Sequence, residues 1–231
     1  MTPLDDLDEL RSNEQRAKNT IVMLSIVIVL EVVLLFSSYM QFSLLKDMAA
    51  GVDVSEEDAN ANERGRMILG LIYFLFYLGA AITFIQWFRR AYYNLHQLVY
   101  DLSESEGWAA GGWFIPVVSL YKPYQIMKEL YERTKSLLVS KGIEVDNNFN
   151  SRHVGLWWGL WIFISLSGQL LWRYTSSANT LSEVTTSTML HMILGIISVP
   201  SAFLAIKVVR DYSEVEHLLR QVKKDPESAH M

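Results

Sequence analysis

The sequence predicts an all-α integral membrane protein: a four-helix bundle with a membrane-lying, amphipathic helical insertion between its second and third spans. Three observations predict it. The apolar residues, 51% of the 231, gather into four blocks, so a mean hydropathy of +0.17 understates them. Lys and Arg fall unevenly on the polar segments between those blocks. The segment between the second and third blocks carries a short apolar piece of its own.

A helix rises 1.5 Å per residue, so about 20 apolar residues cross the hydrocarbon core. The first span covers residues 20–45 and holds one charge, Glu31. The second, 67–88, holds none; the third covers 153–172 and the fourth 187–206. Backbone polar groups in lipid must be satisfied internally, so these blocks are expected to be helices. The first block reads as a retained span rather than a cleaved signal. Its apolar run continues through Phe42, Leu44 and Leu45, and no small-x-small cleavage site follows.

Orientation follows from charge. Sixteen of the 20 Lys and Arg residues lie in the N-terminal tail, the segment 89–152 and the C-terminal tail. The positive-inside bias places all three in the cytoplasm. Of the two outer loops, one is acidic (Glu56, Glu57, Asp58) and the other rich in Ser and Thr. The whole chain, 1–231, is expected to form a single membrane domain.

Segment 89–152 is the most distinctive part. From Arg89 to Glu104, Ala91, Tyr92, Leu95, Leu98, Val99 and Leu102 recur at helical spacing, with Arg90, Asn94, Gln97 and Asp101 on the other face. This predicts an amphipathic helix near the membrane surface. Gly107 to Leu120 (G-W-A-A-G-G-W-F-I-P-V-V-S-L) is apolar, but its 14 residues span only about 20 Å as helix, and Pro116 disfavours a straight one. It is expected to be interfacial or re-entrant. Pro123 then suits the first turn of a new helix, with Tyr124, Met127, Tyr131, Thr134 and Leu138 on one face. Asp146 to Ser151 reads as a polar loop. Beyond the fourth span, Val208, Tyr212, Val215, Leu219 and Val222 continue an apolar stripe, predicting a cytoplasmic helix over 207–224.

The runs F-I-Q-W-F-R-R-A-Y-Y-N-L (84–95), G-G-W-F-I-P (111–116) and Y-K-P-Y-Q-I-M-K-E-L (121–130) resemble the signature of a domain-of-unknown-function family. Its members are bacterial multi-pass membrane proteins in which W-F-I-P precedes P-Y and E-L elements. The resemblance implies a bacterial cytoplasmic (inner) membrane protein and no particular reaction.

Two sets of residues are candidates for function. Glu31 stands about eleven residues into the first span, where an unpaired carboxylate costs several kcal/mol. Tyr77, Ser165 and Ser198 are the hydroxyls at similar depth. Its bland reading is a protonated side chain making one interhelical bond; the functional one is a proton or ion path. The second set is the motif itself: Arg89, Arg90, Asn94, Trp113, Phe114, Pro116, Lys122, Pro123, Tyr124 and Glu129. The cations there suit anionic headgroups, and Glu129 has Arg133 or Arg90 as prospective partners. Their bland reading is a set of snorkelling anchors on a solvated face. Pro200, with Gly195 and Ser198 before it, predicts a kink in the fourth span. Gly155 and Gly159 form a G-x-x-x-G that permits close helix approach.

With no cysteine, thiolate chemistry is excluded. The histidines at 96, 153, 191, 217 and 230 lack metal-type spacing. No phosphate-binding loop or nucleophile elbow appears, so neither a catalytic residue nor a cofactor is expected. A net charge of −5 gives no reason to expect nucleic acid. Membrane lipids are the expected partners, with a second copy or another membrane protein as further ones. The function expected is a non-enzymatic scaffold or regulator acting through 89–152; the alternative is a small oligomeric transporter or proton-coupled channel built on Glu31.

Overall fold

The computed structural model describes residues 10–146 and 148–224. Asn147, in the predicted polar loop, and His230 lie outside the described residues. Among the described residues the chain is helical with no strand: α1 (Glu14–Ala49), α2 (Glu56–His96), the single turn α3 (Trp108–Gly111), α4 (Lys122–Ser140), α5 (Arg152–Ser176) and α6 (Leu181–Lys224). A 3₁₀ turn, Val118–Leu120, precedes α4. Four of these helices are long and apolar enough to cross a membrane, and each contains one of the four predicted blocks.

All four run past the apolar blocks. α6 continues without interruption through Pro200 to Lys224, because Val208, Tyr212, Val215 and Leu219 remain buried beyond the block. α2 extends the second block only to His96. The expected helix to Glu104 stops eight residues early, because Gln97 and Leu98 close the last turn on the carbonyls of Asn94 and Leu95 and the chain folds back.

The residues fall into two compact units. The second comprises Met23–Gly79 and Gly159–Phe203. Here few side chains are buried. Val29, Phe36, Phe74, Phe163, Leu170 and Phe203 are all more than half exposed. Such a belt would be an aggregation hazard in water and is the normal surface of a helix facing acyl chains. Val27, Leu45 and Leu171 are among the few apolar side chains buried inside it. A Cβ built on Gly195 of α6 would lie 2.8 Å from both Glu31 Oε1 and Leu35 Cδ2 of α1, so only glycine lets these helices approach so closely.

The first unit comprises Met1–Val22, Ala80–Trp158 and Leu204–Met231. It has a true core. Trp87, Phe88, Tyr92 and Leu95 of α2 meet Ile126, Met127, Leu130 and Tyr131 of α4 and Val208, Tyr212 and Leu219 of α6, all at 1% exposure or less. Each such side chain contributes about 1.5–3 kcal/mol by leaving water. The Tyr131 hydroxyl donates to the Val208 carbonyl, and Tyr131 stacks on Phe149 with centroids 4.7 Å apart.

Candidate functional site

The motif residues lie in the first unit. Phe84 meets Trp113 edge-on at 5.8 Å, and Trp113 meets Trp158 of α5 at 5.6 Å. The Trp158 Nε1–H donates to the Leu120 carbonyl at 3.1 Å, and Tyr124 stacks on the same indole at 6.3 Å. These rings pin the W-F-I-P segment between α2 and α5. Gly112 is buried, and a Cβ there would crowd the Trp108 carbonyl oxygen at 3.0 Å. Pro123 is buried in the first turn of α4, as its sequence position predicts. Gly155 receives the Tyr124 ring, whose hydroxyl lies 3.7 Å from a built Cβ, while Gly159 has nothing within 4 Å. The G-x-x-x-G pattern thus seats an α4 side chain at its first glycine.

The tip of the segment is bare. Phe114 is 75% exposed, Val117 70%, and Pro116 is exposed. Val117 has φ 67° and ψ −49°, and the Val118 N–H donates to the Pro116 carbonyl at 2.8 Å. This is a γ-turn of the strained, positive-φ kind. A β-branched residue there costs about 1–3 kcal/mol. Phe84 stands one turn inside the end of the apolar block 67–88, and Trp158 five residues inside the start of 153–172. At 1.5 Å per residue the anchoring rings sit about 6–8 Å inside those ends.

Residues 97–107 form a strap held by charge. Asp101 pairs with Arg133 at 2.7 Å, Glu104 with Lys122 at 2.6 Å and Glu106 with Arg89 at 3.3 Å. Glu129 pairs with neither Arg133 nor Arg90. It accepts from the Tyr92 hydroxyl at 2.8 Å, the Ser103 N–H at 2.9 Å and the Ser103 hydroxyl at 2.8 Å. Burial first, then the bond to Glu129, raises the Tyr92 hydroxyl above its ordinary pKa, so it stays a donor.

Asn94, expected on the polar face, is 4% exposed. Its Nδ2 donates to Glu216 Oε1 at 2.8 Å and to the Arg11 carbonyl at 2.9 Å, and its Oδ1 accepts from the Arg11 N–H at 3.1 Å. Asn13, 2% exposed, donates to Glu216 Oε2 at 3.1 Å and to the Trp87 carbonyl at 3.2 Å. This clasp ties the chain entering α1 to the ends of α2 and α6. Burial raises the Glu216 carboxyl above the usual carboxylate range, opposed by the bonds from Asn94 and Asn13. A groove of about 420 Å³ opens beside it, lined also by Arg11, Lys18, Arg210 and His217. The sequence reading missed Asn13 and Glu216. Glu216 had a signal: it falls four residues after Tyr212 and three before Leu219, on the buried stripe.

Glu31 lies in the second unit. It is hydrogen-bonded to Tyr73, one turn from the expected Tyr77, which instead stacks on Tyr73 at 6.1 Å. Ser198 is occupied with the Leu194 carbonyl at 2.9 Å. Counting residues from span ends places depth only to about one turn, because spans tilt. Among the described residues no group of three His, Cys, Asp or Glu is placed to hold a metal ion.

A family described as a domain of unknown function, DUF4328, matches residues 50–214. The chain belongs to the DUF4328 family. The matched region runs from the end of α1 into the last part of α6, and so takes in the aromatic platform, the strap, Asn94 and Glu129 but not Arg11, Asn13 or Glu216. No curated protein and no solved structure matches the chain.

Proposed function

We propose that this DUF4328 protein is a non-enzymatic component of a bacterial inner membrane, a scaffold or regulator that engages lipid through residues 89–152, with that segment and both tails in the cytoplasm. One observation carries the reading: a bare apolar tip, Phe114–Val117, stands on a rigid ring platform anchored about 6–8 Å inside the ends of two spans. Exposed aromatic and aliphatic side chains at that depth suit the headgroup–acyl boundary. The polar motif residues support the same reading, since Asn94, Lys122 and Glu129 spend their bonding capacity inside the unit rather than converging on a cleft.

The chain has no cysteine, so single labels are simple to place. Phe114→Cys and Tyr100→Cys, the latter in the strap at a residue 97% exposed, would each carry an environment-sensitive fluorophore in lipid vesicles. Spin labels on shallow acyl carbons should quench the probe at 114 and leave that at 100 unaffected, with aqueous iodide doing the reverse. Iodide quenching at both positions would defeat the proposal.

The transport alternative is built around Glu31 and Pro200, with Glu31 as the group that would carry the proton. Its bond to Tyr73 and the closeness of Gly195 favour an interhelical tie. Glu31→Gln can keep that bond while losing the titratable proton. Unchanged proton flux in vesicles would end the transport reading.

A further inference from the structure

The cations expected to face headgroups were Arg89, Arg90 and Lys122. Two of them are engaged: Arg89 with Glu106 at 3.3 Å and Lys122 with Glu104 at 2.6 Å. Arg90 is not, and the structure gives it different company. The Arg11 and Arg90 guanidinium carbons lie 4.9 Å and 5.8 Å from the centre of one ring, Tyr93. Arg16 Nη1 donates to the Gln86 carbonyl at 3.0 Å, one turn below Arg90 on the same helix. Burial, then the like charges of Arg16 and Arg11, lowers the Arg90 pKa from its ordinary value. Among the described residues no carboxylate lies within ion-pair distance of any of the three.

The nearby Glu106 carboxylate offsets part of this repulsion without contacting Arg90, and an anion arriving among the three guanidinium groups removes more of it. Their level says which anion. Arg16 is four residues before Thr20, where the first apolar block begins, and Arg90 is two residues past Phe88, where the second ends. At 1.5 Å per residue both stand about 3–6 Å outside the apolar stretch, where lipid phosphates lie. A guanidinium fork matches two phosphate oxygens at once.

We propose that Arg11 and Arg90, both over the Tyr93 ring, together with Arg16 on the Gln86 carbonyl, form a binding site for the phosphate of an anionic phospholipid headgroup. The site rests on the membrane reading above and adds a ligand class to it. Arg11 and Arg16 come from before and within the start of α1, outside the matched family region, so the site joins this chain's own N-terminal segment to the family motif.

The test uses the full chain in detergent, with bound lipid counted by native mass spectrometry after adding phosphatidylglycerol or phosphatidylethanolamine. The wild type should retain phosphatidylglycerol in preference. Each Arg→Gln change should weaken retention about fivefold, and all three together on the order of 100-fold. Arg11→Gln alone is the safeguard, since Arg11 is exposed and outside any helix and its loss cannot unfold the core. Lys128→Gln, removing an exposed cation paired with Glu132, should change retention by less than twofold. Unchanged retention in the triple variant, or an equal loss with Lys128→Gln, would overturn the site. So would displacement of the lipid by a peptide of residues 2–9, whose Asp5, Asp6, Asp8 and Glu9 supply a competing anionic group, or by inorganic phosphate at the lipid's own concentration, which would make free phosphate the ligand. These outcomes are separate from the depth measurement: the probe at 114 can read acyl chains while the arginine site fails, and the reverse.

Discussion

Replacing Asn94 with Ala should release the clasp at the base of the first unit while leaving the rest of the helices intact. Asn94 makes three bonds: one to a half-buried carboxylate, Glu216, at 2.8 Å, and two to the Arg11 backbone at 2.9 and 3.1 Å. The carboxylate bond is charge-assisted and is worth about 1.5–3 kcal/mol. Arg11 is exposed, so water replaces much of the other two, which leaves about 0.5 kcal/mol each. The local cost is therefore about 2.5–4 kcal/mol, and at about 1.4 kcal/mol per factor of ten the opening equilibrium should rise roughly 60- to 700-fold. Amide hydrogen exchange read by mass spectrometry in nanodiscs measures this directly. Exchange should accelerate by that factor around residues 11–17 and 213–220 and stay unchanged in Ile126–Leu138. Asn94→Asp should be worse at pH 7 than at pH 5, because two carboxylates at 2.8 Å cannot both ionise cheaply and acid protonates one. Unchanged exchange in Asn94→Ala would refute the clasp.

Glu216→Gln tests the burial of that carboxyl through pH: burial raises its folded-state pKa against the opposing bonds from Asn94 and Asn13, so stability is greatest below the ordinary carboxylate range and falls as pH rises through the raised value. Denaturant unfolding of the wild type in detergent should thus show falling stability across that window, and the Gln variant a flatter profile. Val117→Gly should relieve the γ-turn and raise stability by about 1–2 kcal/mol, since the valine is 70% exposed and loses little packing; a lower SDS unfolding midpoint would show no strain there. Gly195→Val should destabilise by about 1–3 kcal/mol through overpacking against Glu31 and Leu35, whereas Gly159→Val, with open space around it, should leave the SDS midpoint within 0.5 kcal/mol.

Much of the fold was legible because bilayer thickness imposes it: a block of about 20 apolar residues has one structural solution in lipid. The continuation of α6 to Lys224 was legible from its stripe. The link was harder. Periodicity carries the expected helix of 89–104 through to Glu104, because Leu98, Val99 and Leu102 keep the spacing, but spacing does not register the ion pairs that fold 101–106 back onto Arg89, Lys122 and Arg133. Asn94 looked like a surface residue because its partners lie 83 and 122 positions away. For Glu129 charge alone offers Arg133, one turn on, or Arg90, while its actual partners, Tyr92 and Ser103, are uncharged and come from other segments. Glu31 was legible as unusual, and its partner only to within a turn.

In the proposed topology the chain crosses the membrane four times, and the link touches it without crossing. Single cysteines at Ser12, Val52, Tyr100, Ser182 and Gln221, all exposed, can be probed with a membrane-impermeant thiol reagent in intact cells and in inside-out vesicles. Positions 12, 100 and 221 should label only in the vesicles, and 52 and 182 only in intact cells. Finding 100 and 221 on opposite sides would contradict the account, because the chain would then cross an odd number of times after the strap.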